Sequence, residues 1–86
     1  MNTFQLEITT PQSTAADREV ISLDVPAASG RMTILAHHQP QICTLEDGPM
    51  FIDTPKGRET WDIKAGFMRI GKNRVSVALK EAGIKT

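Results

Sequence analysis

The sequence has one cysteine, Cys43, so it holds no internal disulfide and says nothing about an oxidising compartment. It also lacks an excess of charge, because ten basic residues face ten acidic ones and the formal net charge is zero. That balance argues against a nucleic-acid binder driven by counterion release and against a domain held electrostatically on a membrane surface. Uninterrupted apolar runs near the ~18 residues that cross a bilayer are missing. The start, MNTFQLEITTPQ, lacks the basic segment and apolar stretch of a signal peptide. The expected address is the cytoplasm, and a peripheral place on a membrane complex is compatible, since docking on protein leaves no hydropathy signal. Repeats, low-complexity segments and any periodic pattern long enough for a helix of three turns are absent as well.

Catalytic constellations are equally scarce. His37 and His38 are adjacent, and neighbours on an extended chain point to opposite faces, so the pair cannot chelate one ion together. No spacing typical of zinc ligands completes a site around them. Cys43 and His38 would have to touch to act as nucleophile and base, and a lone cysteine in an apolar strand is more often a small buried hydrophobe. The run GFMRIG at 66–71 lacks the internal glycine of a dinucleotide fingerprint. No active site, metal or cofactor is expected.

What the sequence does contain is alternation. Phe4, Leu6 and Ile8 recur with period two, and the same reading makes strands of 19–25, 31–35, 41–45, 50–53, 60–63, 67–70 and 74–79. Turn residues punctuate them at 10–14, 26–30, 46–49, 54–58 and 71–73, with Gly57 and Asn73 or Gly71 suited to positive φ. Residues 36–40 (AHHQP) are too polar and too close to proline for a central strand and read as a crossing loop. Residues 15–19 could start a helix too short to stand alone. The shift in alternation at Val20 and Ile21 suggests a bulge or a segment apolar on both faces, and 80–86 a short tail. About eight to ten short strands in 86 residues predict one all-β domain, a small antiparallel sandwich or flattened barrel. Its expected core holds Phe4, Leu6, Ile8, Val20, Leu23, Val25, Ile34, Ile52, Trp61, Ile63, Ile70, Val75, Val77 and Leu79. Such a small domain buries only roughly 60–65% of its unfolded surface, which favours help from a partner.

The densest stretch is 30–48, GRMTILAHHQPQICTLEDG, with both histidines, the cysteine and two glycine turns. Its order, Gly30-x-x-x-Ile34-x-x-x-His38-x-Pro40 followed by Gly48, resembles the N-terminal domain of the epsilon subunit of bacterial F-type ATP synthases. FQLEITTPQ resembles that family's first strand, SLDVPAASG its loop entry, and Ala65-Gly66-Phe67-Met68 its glycine-rich entry to the final hairpin. The likeness runs from about Phe4 to Ala78. It implies a ten-stranded β-sandwich in the rotor stalk, doing no bond chemistry, bound to the gamma subunit and resting on the polar loops of the membrane c-ring. By position, Ser29, Arg31 and Met32 would face the c-ring, and His38, Pro40 and Cys43 would face gamma. The departures are His37 and Thr33 where the family favours glycine, Arg31 where it is commonly acidic or polar, and Ala65 in place of the first glycine of a pair. Many relatives continue into an inhibitory two-helix hairpin where this chain stops, so no hairpin-type inhibition is expected. A free-standing protein- or ligand-binding module is the alternative.

Overall fold

Period-two patterning gives short strands whose apolar faces must be buried against one another. The computed structural model describes residues 2–11 and 14–85. It contains ten strands: β1 (Phe4–Thr9), β2 (Thr14–Val20), β3 (Ser22–Ala27), β4 (Gly30–Leu35), β5 (Gln41–Leu45), β6 (Gly48–Thr54), β7 (Gly57–Ile63), β8 (Gly66–Gly71), β9 (Arg74–Leu79) and β10 (Ala82–Lys85). No helix occurs among the described residues.

The strands follow the path β10-β7-β6-β3-β5-β8-β9-β1-β2, with β4 on the free edge of β3. Between β3 and β5 the path is carried by one residue pair, Ala27↔Leu45. The sheet folds over there into two layers, β4-β3-β6-β7-β10 against β5-β8-β9-β1-β2, which is the sandwich the alternation predicts. Pro26 explains why the fold-over sits there. On that side of β3, β6 pairs only with Ser22, Leu23 and Asp24, and β5 only with Ala27. A residue without an N–H therefore stands in the gap of the ladder, where none is needed. Its carbonyl accepts the Glu46 amide at 2.8 Å, and the Ala28 amide donates to Thr44 at 2.9 Å, pinning the corner. All pairs are antiparallel except β1 with β9, so the first strand lies between β2 and β9.

Every expected core residue is buried, joined by Ala27, Cys43, Leu45, Met50 and Met68. Trp61 is buried too, and its indole N–H donates to Glu59 at 3.1 Å, so its polar end is satisfied. Several boundaries differ from the sequence reading. Residues 15–19 belong to β2, not to a helix, because pairing with β1 through Gln5↔Glu19 and Glu7↔Asp17 overrides the weak helical preference of the alanines. The shift at Val20 is no bulge: Ile21 is a corner between two strands, its amide donating to the Asp53 carbonyl at 2.7 Å. The loop expected at 26–30 shrinks to Ala28 and Ser29, and the turn at 46–49 to Glu46 and Asp47. The tail holds β10, which pairs with β7. The turn expected at 10–14 lies partly outside the described residues. Gly57 (φ 132°) and Asn73 (φ 52°) take the positive-φ positions assigned to them.

Candidate docking surfaces

Strand β4 links the two residue sets singled out in 30–48. At one end its hairpin with β3 turns at Ala28 and Ser29, next to the connections at Glu46–Asp47, Lys64–Ala65 and Lys80–Glu81. At the other end it runs into residues 36–40, beside the β8–β9 hairpin. Ser29 is exposed at the first end, and Pro40 is exposed where the second end enters β5.

Arg31 is not at the tip. It lies in β4 on the outer face of its sheet and is held there. Its Nε donates to Asp24 at 2.7 Å and its Nη2 to the Pro49 carbonyl at 2.8 Å. Its guanidinium lies 5.3 Å from the Phe51 ring centroid. Arg58 lies 5.4 Å from the same ring and binds Asp53 at 2.8 Å. Arg58 and the Ser22 hydroxyl hold the Asp53 carboxyl below the usual carboxylate range, with Arg58 the larger influence. This face is therefore a closed polar lattice around one aromatic ring.

Met32 and Cys43 point inward. Cys43 is 9% exposed, and its Sγ meets the Met32 Sδ at 3.8 Å, closing the sandwich between β4 and β5. The opposite side closes through Arg18 of β2, whose guanidinium grips the Glu59 carboxylate of β7 across the two layers. Arg18 is the main cause holding the Glu59 carboxyl below its ordinary value, with Trp61 adding to it.

The loop at 36–40 is tied down by backbone geometry. His37 has φ 64°, and its amide donates to Asn73 Oδ1 at 3.2 Å, while Asn73 Nδ2 donates to the Thr3 carbonyl at 3.0 Å. The His38 ring Nδ1 lies 2.9 Å from the Gln39 carbonyl. The thiol of Cys43 meets Met32 and the imidazole of His38 meets Gln39, so the structure does not join them as nucleophile and base. Among the described residues, no group of three or more His, Cys, Asp or Glu side chains is placed to hold a metal ion. No helix there is long and apolar enough to cross a membrane.

The outer face of the second sheet carries a feature that the sequence reading missed. Ile42 and Phe67 are large, apolar and 72% and 62% exposed. They sit diagonally on β5 and β8, since Ile42 pairs with Arg69 and Thr44 with Phe67. Ala78 adjoins Phe67 from β9, and Ser76 adjoins Arg69. Farther along the face, Arg74 pairs with Glu7 at 3.7 Å and Gln5 donates to Asp17 at 2.7 Å, so that half is polar and internally satisfied. The signal was present: Ile42 beside Cys43, and Phe67 beside Met68, are adjacent apolar pairs in alternating strands. One member of each pair has to point outward.

Residues 3–84 match the family described as the ATP synthase delta/epsilon chain β-sandwich domain. The chain is 32% identical over 82 residues to the sodium-ion-specific ATP synthase epsilon chain of Propionigenium modestum, covering 95% of this chain and 60% of that one. It is 30% identical to the chloroplastic epsilon chain of Oltmannsiellopsis viridis, covering 95% and 63%. Among solved structures, a chain of the Euglena gracilis mitochondrial ATP synthase superposes with a TM-score of 0.91 at 20% identity, over 98% of this chain and 54% of that one. A chain of the Tetrahymena thermophila central stalk and c-ring superposes at 0.80 with 12% identity, over 92% and 64%. The chain thus spans about 60% of the length of the epsilon chains it matches.

Proposed function

Since the chain belongs to the delta/epsilon-chain β-sandwich family of ATP synthases, we propose that it is a non-catalytic subunit of the central rotor stalk in an F-type ATP synthase. In this reading it binds gamma and the c-ring and carries rotation between ion flow through the ring and ATP synthesis or hydrolysis. It is peripheral to the membrane through the complex, on the cytoplasmic face.

The observation that supports this reading is that the Ser29 turn and the loop at 36–40 stand at opposite ends of one strand. The Ser29 turn and the loop at 36–40 are separated by the length of β4, six residues or roughly 20 Å. They are joined by a layer whose outer face is cross-linked by Arg31, Asp24, Phe51, Arg58 and Asp53. A rigid adaptor needs two separated surfaces and a stiff body between them. Ser29 would touch the ring loops directly, with Arg31 setting the pose of its hairpin. Pro40 and His38 would meet gamma, with Met32 and Cys43 packed beneath the contacting strands.

The test mixes the purified chain with gamma and with an isolated c-ring. A one-to-one complex with gamma is expected on gel filtration, joined by the ring. Absence of association with gamma at both low and moderate salt overturns the reading. Ser29→Trp should weaken ring binding and leave gamma binding unchanged, and equal loss of both would overturn the two-ended assignment.

A further inference from the structure

The chain has five arginines. Arg18, Arg31, Arg58 and Arg74 each lie against a carboxylate, that of Glu59, Asp24, Asp53 and Glu7 in turn. Arg69 is exposed, and its side chain makes no ion pair or hydrogen bond among the described residues. It stands on β8, directly opposite Ile42 and two residues from Phe67, inside the one strongly apolar part of the second sheet's outer face. A shallow groove lined by Pro40, Gln41, Ile42, Arg69, Ile70 and Gly71 runs from the 36–40 loop onto this face.

We propose that Arg69, with Ile42 and Phe67 beside it, is the specificity-determining patch of the gamma-facing surface, and that its occupant is a protein surface presenting apolar side chains around one carboxylate. The inference rests on the stalk reading above and adds the chemistry of the contact. A partner that covers Ile42 and Phe67 must also strip water from Arg69. An arginine desolvated without a counter-charge opposes binding strongly, so a partner apolar throughout is excluded. A carboxylate can take the guanidinium fork through two parallel hydrogen bonds, compensating the lost hydration and fixing register. Phe and Arg together are also the side chains enriched in interface centres. The opposite face also exposes Leu35 on β4, but its two arginines, Arg31 and Arg58, both hold aspartates and lie over Phe51, so it offers no unpaired guanidinium.

The experiment titrates the chain into the purified gamma subunit by calorimetry at low and moderate salt, after thermal melts show each variant folded. Arg69→Glu should lower affinity at least about tenfold, a loss near 1.4 kcal/mol. Arg69→Gln should flatten the salt dependence, and Phe67→Thr should weaken binding without changing that dependence. Lys56→Glu, the same charge change in the β6–β7 turn, should leave affinity within about twofold. If the parent binds and Arg69→Glu binds equally well, the inference fails and the stalk reading survives. Equal weakening by Lys56→Glu and Arg69→Glu also overturns it, since only bulk charge would be acting. If the parent does not bind gamma at either salt, the stalk reading falls and this inference falls with it.

Discussion

At single positions the fold is decided by close approach and by charge pairing. A Cβ built on Gly66 would lie 2.0 Å from the Ala78 carbonyl oxygen and 2.9 Å from the Leu79 Cα, both backbone atoms of the neighbouring strand. Nothing there can swing aside, so Gly66→Ala must part β8 from β9. The expected cost is at least about 2 kcal/mol, the upper range for overpacking, read as a drop in urea midpoint. The glycine-rich entry at 65–66 was visible in the sequence, but the reason for it was not, because the obstructing oxygen lies a strand away. Gly57 and Asn73 were legible because turn chemistry is local. Ile42 and Phe67 were not assigned outward, since alternation names two faces without saying which is buried.

Acid sensitivity belongs to the same scale. Glu59, held low first by Arg18, and Asp53, held low first by Arg58, bind fewer protons folded than unfolded. Their contribution is present above the unfolded carboxylate values of about 4 and is lost as pH falls through the lower folded ones. Melting temperature should therefore fall between pH 5 and pH 2.5, and the Glu59→Gln variant should start lower and fall less. Parallel slopes for parent and variant would overturn the assignment to Glu59.

Among the elements, two were misread for one physical reason: short strands are defined by partners remote in sequence. β2 resembled a helix start until β1 supplied its ladder, and β10 resembled a tail until β7 did. Pro26 opens the loop expected at 26–30 but lies inside β3, because only one side of that strand's ladder is broken there. β10 covers the outer edge of β7, and Ala82 packs against the core. A chain ending at Lys80 would bare that edge. It should lose about 2 kcal/mol, roughly 10 °C in melting temperature, and self-associate more readily. An unchanged melt would mean that β10 adds nothing to the sheet.

For the molecule as a whole, the two outer faces divide the labour. One carries a lattice of arginines, aspartates and a phenylalanine whose charges are already paired, with Leu35 exposed at the end of β4. The other is half finished, its polar side satisfied and its apolar side bare around an unpaired arginine. The sandwich class and all fourteen expected core residues were legible, because burial on one face of every strand imposes a period that the sequence must show. Which outward side chains stay unpaired was not legible, since that depends on partners found across strands.

The placement of β1 carries a consequence in time. Its parallel neighbour is β9, and Asn73 reaches back across 70 positions to the Thr3 carbonyl. On a ribosome, the first strand leaves the tunnel long before the last hairpin exists, and until then it can pair only with β2. The layer closes when residues 74–79 arrive, so nearly the whole chain must be made before any of it is finished. Folding is therefore a late, single closure, paced by the meeting of the chain's two ends and exposed to misassociation while it waits.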